Sequence, residues 1–152
     1  MISVRPLKRE DLTRQYFSLL DQLSPRTAKF TSDFYFNNEV LYNFQRYSRN
    51  PDHTILVAIQ DDVVIGTAAI LIEYKIRGDA CAHIEDVVVA AQRRTYGTGR
   101  LLIEKLIEIA KDHQCYKAIL DCSENNVSFY EKCGFRKYEN CMRMDLNESS
   151  VD

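Results

Sequence analysis

The stretch that most limits how this chain can fold is an apolar strand carrying two acids, His83-Ile84-Glu85-Asp86-Val87-Val88-Val89, followed by a glycine loop and a long amphipathic helix. Leu101, Leu102, Leu106, Ile109 and Ala110 mark that helix from Gly97 to Gln114, and Lys117 to Asp121 reads as the next strand. A strand, helix, strand unit of this length predicts a right-handed parallel crossover.

The rest of the chain is built around that unit. Ile2 to Arg5 alternates like an edge strand closed by Pro6, and Leu12, Tyr16, Leu19, Leu20 and Leu23 recur at helical spacing. A second helix carries Phe30, Phe34, Val40, Leu41, Phe44 and Tyr47 up to Asn50-Pro51. Thr54 to Gln60 and Val63 to Ile76 read as strands joined by a hairpin turn at Asp61-Asp62. Asn125 to Cys133 reads as a short helix with Gly134 as its left-handed cap, and the chain returns as a strand from Phe135. The sum is a mixed α/β (α+β) sheet of about six or seven strands flanked by helices.

With 152 residues, three Pro and five Gly, one domain over residues 1–146 is expected, with 147–152 as a polar tail. The 20 basic and 22 acidic residues are well mixed, so no polybasic footprint for nucleic acid or membrane is present. Five cysteines without a C-x-x-C pair read as reduced, buried thiols rather than a disulfide framework or a metal site. The N-terminus lacks the build of a signal peptide and no run approaches the roughly 20 apolar residues of a membrane span, so a cytoplasmic protein is expected.

Three features carry chemistry. Gly97 and Gly99 free main-chain N–H groups at the helix start for a pyrophosphate, with Arg94 and Arg100 adding charge, although the same glycines also suit a plain tight turn. Neither a P-loop nor the three-glycine dinucleotide fingerprint is matched. Strand alternation sends Glu85 and Asp86 to opposite faces, so one of them meets a polar cleft as acid, base or amine ligand, or else a surface ion pair; His83 shares the face of Glu85 and reads as structural. Tyr130 is either a core aromatic or a phenol placed to protonate a departing thiolate, and Asn126 either binds a cofactor or caps its helix.

The acidic strand, Arg94-x-x-Gly97-x-Gly99 and Asn126-x-x-Phe129-Tyr130-x-x-x-Gly134-Phe135 together resemble the GNAT superfamily of acetyl-CoA-dependent N-acetyltransferases. Within it, His83 to Val89, Cys115-Tyr116-Lys117, Leu120-Asp121-Cys122, Phe129 to Phe135 and Asp21-Gln22-Leu23-Ser24 resemble the glucosamine-6-phosphate N-acetyltransferase family. The resemblance implies a GNAT-type acyl-CoA N-acyltransferase fold and direct acetyl transfer from acetyl-CoA to the sugar amine in a ternary complex, without a metal, for UDP-N-acetylglucosamine biosynthesis.

It also implies roles. Val87, Val88 and Val89 would line the pantetheine arm, with an N–H of Val87 or Val88 polarising the thioester. Arg94, Thr95, Tyr96, Gly97, Thr98, Gly99, Arg100 and Asn126 would hold the rest of the cofactor. Glu85 or the main chain near Asp86 would route the proton, Asp121 orient the amine and Tyr130 serve the thiolate. Ser24, Lys75, Glu85, Asp86, Tyr116 and Lys117 would bind the sugar phosphate. A homodimer is implied, with the edge near Met142 to Leu146 covered by the partner. Three departures stand out: Thr95 replaces the loop's first glycine, the segment between Lys75 and His83 is shorter, and Asp145 stands where a basic residue is expected, with Arg143 as its substitute on the same strand face.

Overall fold

The computed structural model describes residues 1–23 and 38–146, apart from the side chains of Thr95 and Tyr96. Ser24, Phe30 and Phe34 lie outside the described residues. The chain divides into two compact units, Met1–Leu120 and Asp121–Asp152.

In the first unit the order is β1 (Ser3–Pro6), α1 (Arg14–Leu20), α2 (Asn38–Ser48), β2 (His53–Gln60), β3 (Val63–Tyr74), β4 (Ala80–Val89), α3 (Thr98–Asp112) and β5 (Cys115–Ile119). The five strands form one sheet in sequence order, antiparallel from β1 to β4, with β5 parallel to β4 across the α3 connection. The β2–β3 hairpin turns on Asp61 and Asp62, whose φ values of 53° and 61° put both in the left-handed region that a two-residue turn of this type requires. Asp tolerates that region better than most side chains, which is why the pair punctuates the sequence.

Leu102, Ile103, Leu106 and Ala110 are buried at three-to-four spacing along α3, which packs on the sheet with Ile65 and Ile70 fully buried as well. Each such aliphatic side chain contributes about 1.5–3 kcal/mol of burial, so α3 is held to the sheet far more by this stripe than by helix propensity. The pleat divides β2 between two layers: Leu56 lines a groove with Lys105 and Ile109 of α3, while Val57 joins Leu7, Leu12 and Tyr16 beneath α1.

The second unit contains α4 (Val127–Lys132) after a 3-10 turn at Glu124–Asn126. Gly134, at φ 94°, ends α4: the Phe135 N–H donates to the Tyr130 carbonyl at 3.0 Å and the Gly134 N–H to Glu131 at 3.0 Å. That is the paired cap expected from the glycine.

Two expectations are corrected. Among the described residues the sheet has five strands, not about six or seven, because residues 135–146 form no ladder. Met142, Met144 and Leu146 alternate as a strand would, yet stand 90%, 81% and 85% exposed; alternation supplies a pleat, but a strand needs a partner edge. The thiols are free as expected, but only Cys81 is buried; Cys115 and Cys133 are half-buried, and Cys122 and Cys141 are exposed.

Candidate active site

The site is organised by an irregularity in β4. Thr67 pairs with Val88 and Ala69 with Glu85, so Asp86 and Val87 together oppose Ala68 in a bulge. Asp86 takes φ 51°, the left-handed conformation. The extra residue breaks the alternation that was to send Glu85 and Asp86 to opposite faces, and both carboxylates are exposed. Asp86 also lies near buried Tyr16, whose phenol is pushed up to about 12 by burial, against the hydrogen bond it shares with Thr67 and with the Asp86 charge adding to the rise.

The β4–β5 ladder ends at His83 and Ile119. Beyond it, no strand among the described residues pairs with the outer edge of β4, and around Val87 that edge suits an extended ligand. The Ala90 N–H donates to the Ile65 carbonyl at 2.8 Å, so by pleat alternation Val88 faces β3 as well and Val89 faces outward. The Val89 carbonyl accepts from Arg94 Nε at 3.4 Å.

That edge leads through the 3-10 turn Ala91–Tyr96 into Gly97, whose φ of 74° turns the chain into α3. The Leu101 N–H donates to the Gly97 carbonyl at 3.0 Å. The N–H groups of Thr98 and Gly99 lie in the first turn of the helix, where the dipole favours an anion. No side chain caps this end. Thr98 is fully buried, and its Oγ1 has no hydrogen-bond partner among the described residues. Gly66 lets α3 lie this close to the sheet: a Cβ there would stand 3.2 Å from Leu102 Cδ1 and 3.3 Å from Thr98 Cγ2. The expected arginines are engaged locally, Arg94 with Gln22 Oε1 at 3.2 Å and Arg100 with Glu104 at 2.8 Å.

The substrate residues of the first unit lie just after β3 and on β4 and β5. Lys75 Nζ meets Glu73 Oε1 at 2.6 Å, and His83 Nε2 meets Glu73 Oε2 at 2.8 Å. The hydrogen bonds from Lys75 and His83 hold the Glu73 carboxyl below its usual range. Lys117 Nζ sits 5.2 Å from the ring centroid of exposed Tyr116. Glu73 was missed from the sequence; its signal was the spacing Glu73-x-Lys75, which puts two opposite charges on one strand face.

Asp121, Asn126, Tyr130 and Arg143 belong to the second unit. Asp121 accepts a hydrogen bond from the Cys141 thiol, whose pKa rises chiefly for that reason. Asn126 makes no side-chain cap to α4, so the capping alternative is not realised. Tyr130 is buried, with its ring centroid 4.9 Å from Phe129 and 6.0 Å from Phe135, and its phenol is pushed up to about 12 by burial and by the neighbouring Cys122 and Cys133. Arg143 Nε donates to Asp145 Oδ1 at 2.9 Å, so the cation expected to replace a missing base is paired with the acid that stands in its place, and the strand face they were to share does not form. Among the described residues no group of three His, Cys, Asp or Glu side chains could hold a metal ion, and no helix is long and apolar enough to cross a membrane.

The model of the Acetyltransferase (GNAT) family matches residues 13–135. The chain is 36% identical over 141 residues to glucosamine 6-phosphate N-acetyltransferase 1 of Dictyostelium discoideum, spanning 90% of this chain and 85% of that protein. It is 48% identical over 85 residues to the glucosamine 6-phosphate N-acetyltransferase of Trypanosoma brucei brucei, spanning 55% of this chain and 58% of that one. The crystal structure of glucosamine-6-phosphate N-acetyltransferase from Arabidopsis thaliana superposes with a TM-score of 0.86 at 31% identity, covering 97% of this chain and 99% of the other.

Proposed function

The chain belongs to the acetyltransferase (GNAT) family, and from that premise we propose that it transfers the acetyl group of acetyl-CoA to the amine of D-glucosamine 6-phosphate. The observation that carries the substrate is the 36% identity, over 90% of the chain, to a relative named for that reaction. The helix start at Thr98 and Gly99, with no side-chain cap, and the Thr98 hydroxyl, without a partner among the described residues, fit a pyrophosphate, and the edge of β4 beyond the β5 ladder, at Val87 to Val89, fits a pantetheine arm.

In the proposed reaction the sugar amine attacks the thioester carbonyl, the C–N bond forms, the C–S bond breaks and the product is an amide and a free thiol. With Val88 turned toward β3, the bulge residue Val87 offers the N–H that polarises the carbonyl. Glu85, or the main chain near Asp86, takes the amine proton, Asp121 orients the amine and Tyr130 hands a proton to the thiolate. Thr95, Tyr96 and Asn126 complete the cofactor contacts, and Ser24, Asp86, Tyr116, Lys75, Lys117 and Arg143 bind the sugar phosphate. Residues 1–146 are then read as one catalytic domain, acting as a homodimer in the cytoplasm, with the exposed segment near Met142 to Leu146 supplied with a partner.

The test is thiol release from acetyl-CoA with glucosamine 6-phosphate, glucosamine, a lysine peptide and spermidine at equal concentration. Turnover favouring the phosphorylated sugar supports the proposal. Turnover only with another amine moves the substrate elsewhere in the family, and binding of acetyl-CoA without turnover reduces the chain to a cofactor-binding module.

A further inference from the structure

Glu73 is one carboxylate divided between two donors: Oε1 takes the Lys75 ammonium at 2.6 Å and Oε2 takes His83 Nε2 at 2.8 Å. Register brings them together. Glu73 stands opposite Cys81, so His83, two residues along β4, is its diagonal neighbour on the same face. The turn after β3 fixes Lys75: its N–H donates to Asp79 at 2.6 Å and its carbonyl accepts from Gly78 at 2.9 Å. Lys117 stands opposite Cys81 on the other side of β4, extending the same patch onto β5.

Two cation-forming side chains that converge on the two oxygens of one anion are arranged as a phosphate monoester would need them. The patch has little else to do for the fold. The Lys75, Glu73 and His83 side chains are 38%, 47% and 33% exposed, and ion pairs so placed contribute little to stability. His83 is not among the substrate-binding residues assigned above, which take Lys75 and Lys117 from this patch.

We infer that His83 is a phosphate-binding residue of the substrate site, acting beside Lys75, and that Glu73 occupies both donors until the phosphate displaces it. The inference rests on the glucosamine 6-phosphate reading. Displacement costs little, because the released carboxylate swings into water. With Lys117 across the strand, the phosphate then meets three side chains drawn from β4, β5 and the turn after β3.

The experiment compares wild type, His83→Gln and His83→Lys on glucosamine 6-phosphate and on glucosamine, with the melting temperature of each. His83→Gln is expected to lower the ratio of kcat/KM for the phosphorylated sugar over glucosamine about tenfold, carried by KM, as expected for one lost charge-assisted contact. His83→Lys is expected to restore most of that ratio. An equal loss on both sugars, or an unchanged ratio, overturns the inference while leaving the substrate reading intact; a wild type with no preference for the phosphorylated sugar overturns both.

Discussion

Arg5 grips Asp11 with both guanidinium nitrogens, Nη1 to Oδ2 at 2.7 Å and Nη2 to Oδ1 at 2.8 Å, and so ties β1 to the turn that leads into α1. The Lys8 N–H adds a third bond to Oδ2 at 2.8 Å, and Asp11 is only 6% exposed.

Burial alone would raise the Asp11 carboxyl, but the bonds from Arg5 and Lys8 outweigh it and the pKa falls below its usual value. A depressed native pKa contributes stability above the unfolded value of about 3.9, and that stability is lost as pH falls through the native value. Asp11→Asn is expected to cost about 2 kcal/mol at neutral pH. Urea unfolding at several pH values checks this: the gap to wild type should close in acid, and a constant gap would mean that the charge of Asp11 does not matter.

Tyr130 is expected to act as a neutral phenol. Its pKa near 12, raised by burial and by Cys122 and Cys133, keeps the proton in place throughout the working range. Tyr130→Phe should lower kcat by about a hundredfold, the low end of general acid catalysis, with acetyl-CoA affinity little changed. Rapid-quench turnover with isothermal titration of acetyl-CoA separates the two, and unchanged kcat removes Tyr130 from the mechanism.

What the sequence made legible was local. Asp61-Asp62 announced its turn through side chains that tolerate positive φ, and Leu102, Leu106 and Ala110 announced the buried stripe of α3. What depended on a second strand was not legible. Whether residues 135–146 form a ladder depends on a partner edge, which alternation at Met142, Met144 and Leu146 does not encode. The face of Asp86 depended on a bulge set by pairing with β3, and the hold of Glu73 on His83 on a register that places residues ten apart side by side.

Thr98 offers a way to separate binding from folding. A buried hydroxyl without a partner costs about 1–3 kcal/mol, and Thr98 Oγ1 has none among the described residues, so Thr98→Val should hold or raise stability in the free protein. If that hydroxyl donates to the pyrophosphate, the same change should raise the KM for acetyl-CoA about tenfold. Thermal unfolding and steady-state kinetics on one preparation decide it; a stabler protein with an unaltered KM would show that the hydroxyl is not a ligand.

Gly66 connects the core to the same helix start. A Cβ at this position would lie 3.2 Å from the Val88 carbonyl, 3.2 Å from Leu102 Cδ1 and 3.3 Å from Thr98 Cγ2, tight contacts with β4 and with the first turns of α3. Valine adds two more carbons where even the first must displace its neighbours, so Gly66→Val should cost about 2 kcal/mol or more through overpacking. The cheapest relief moves α3 rather than the sheet, because β3 is paired on both sides while the helix start is uncapped. That movement shifts the first-turn N–H groups of Thr98 and Gly99, and acetyl-CoA binding should weaken at temperatures where the variant is still fully folded. Titration calorimetry well below the melting temperature tests the coupling: a destabilised variant that binds acetyl-CoA as wild type does would show that the helix start is positioned independently of this contact.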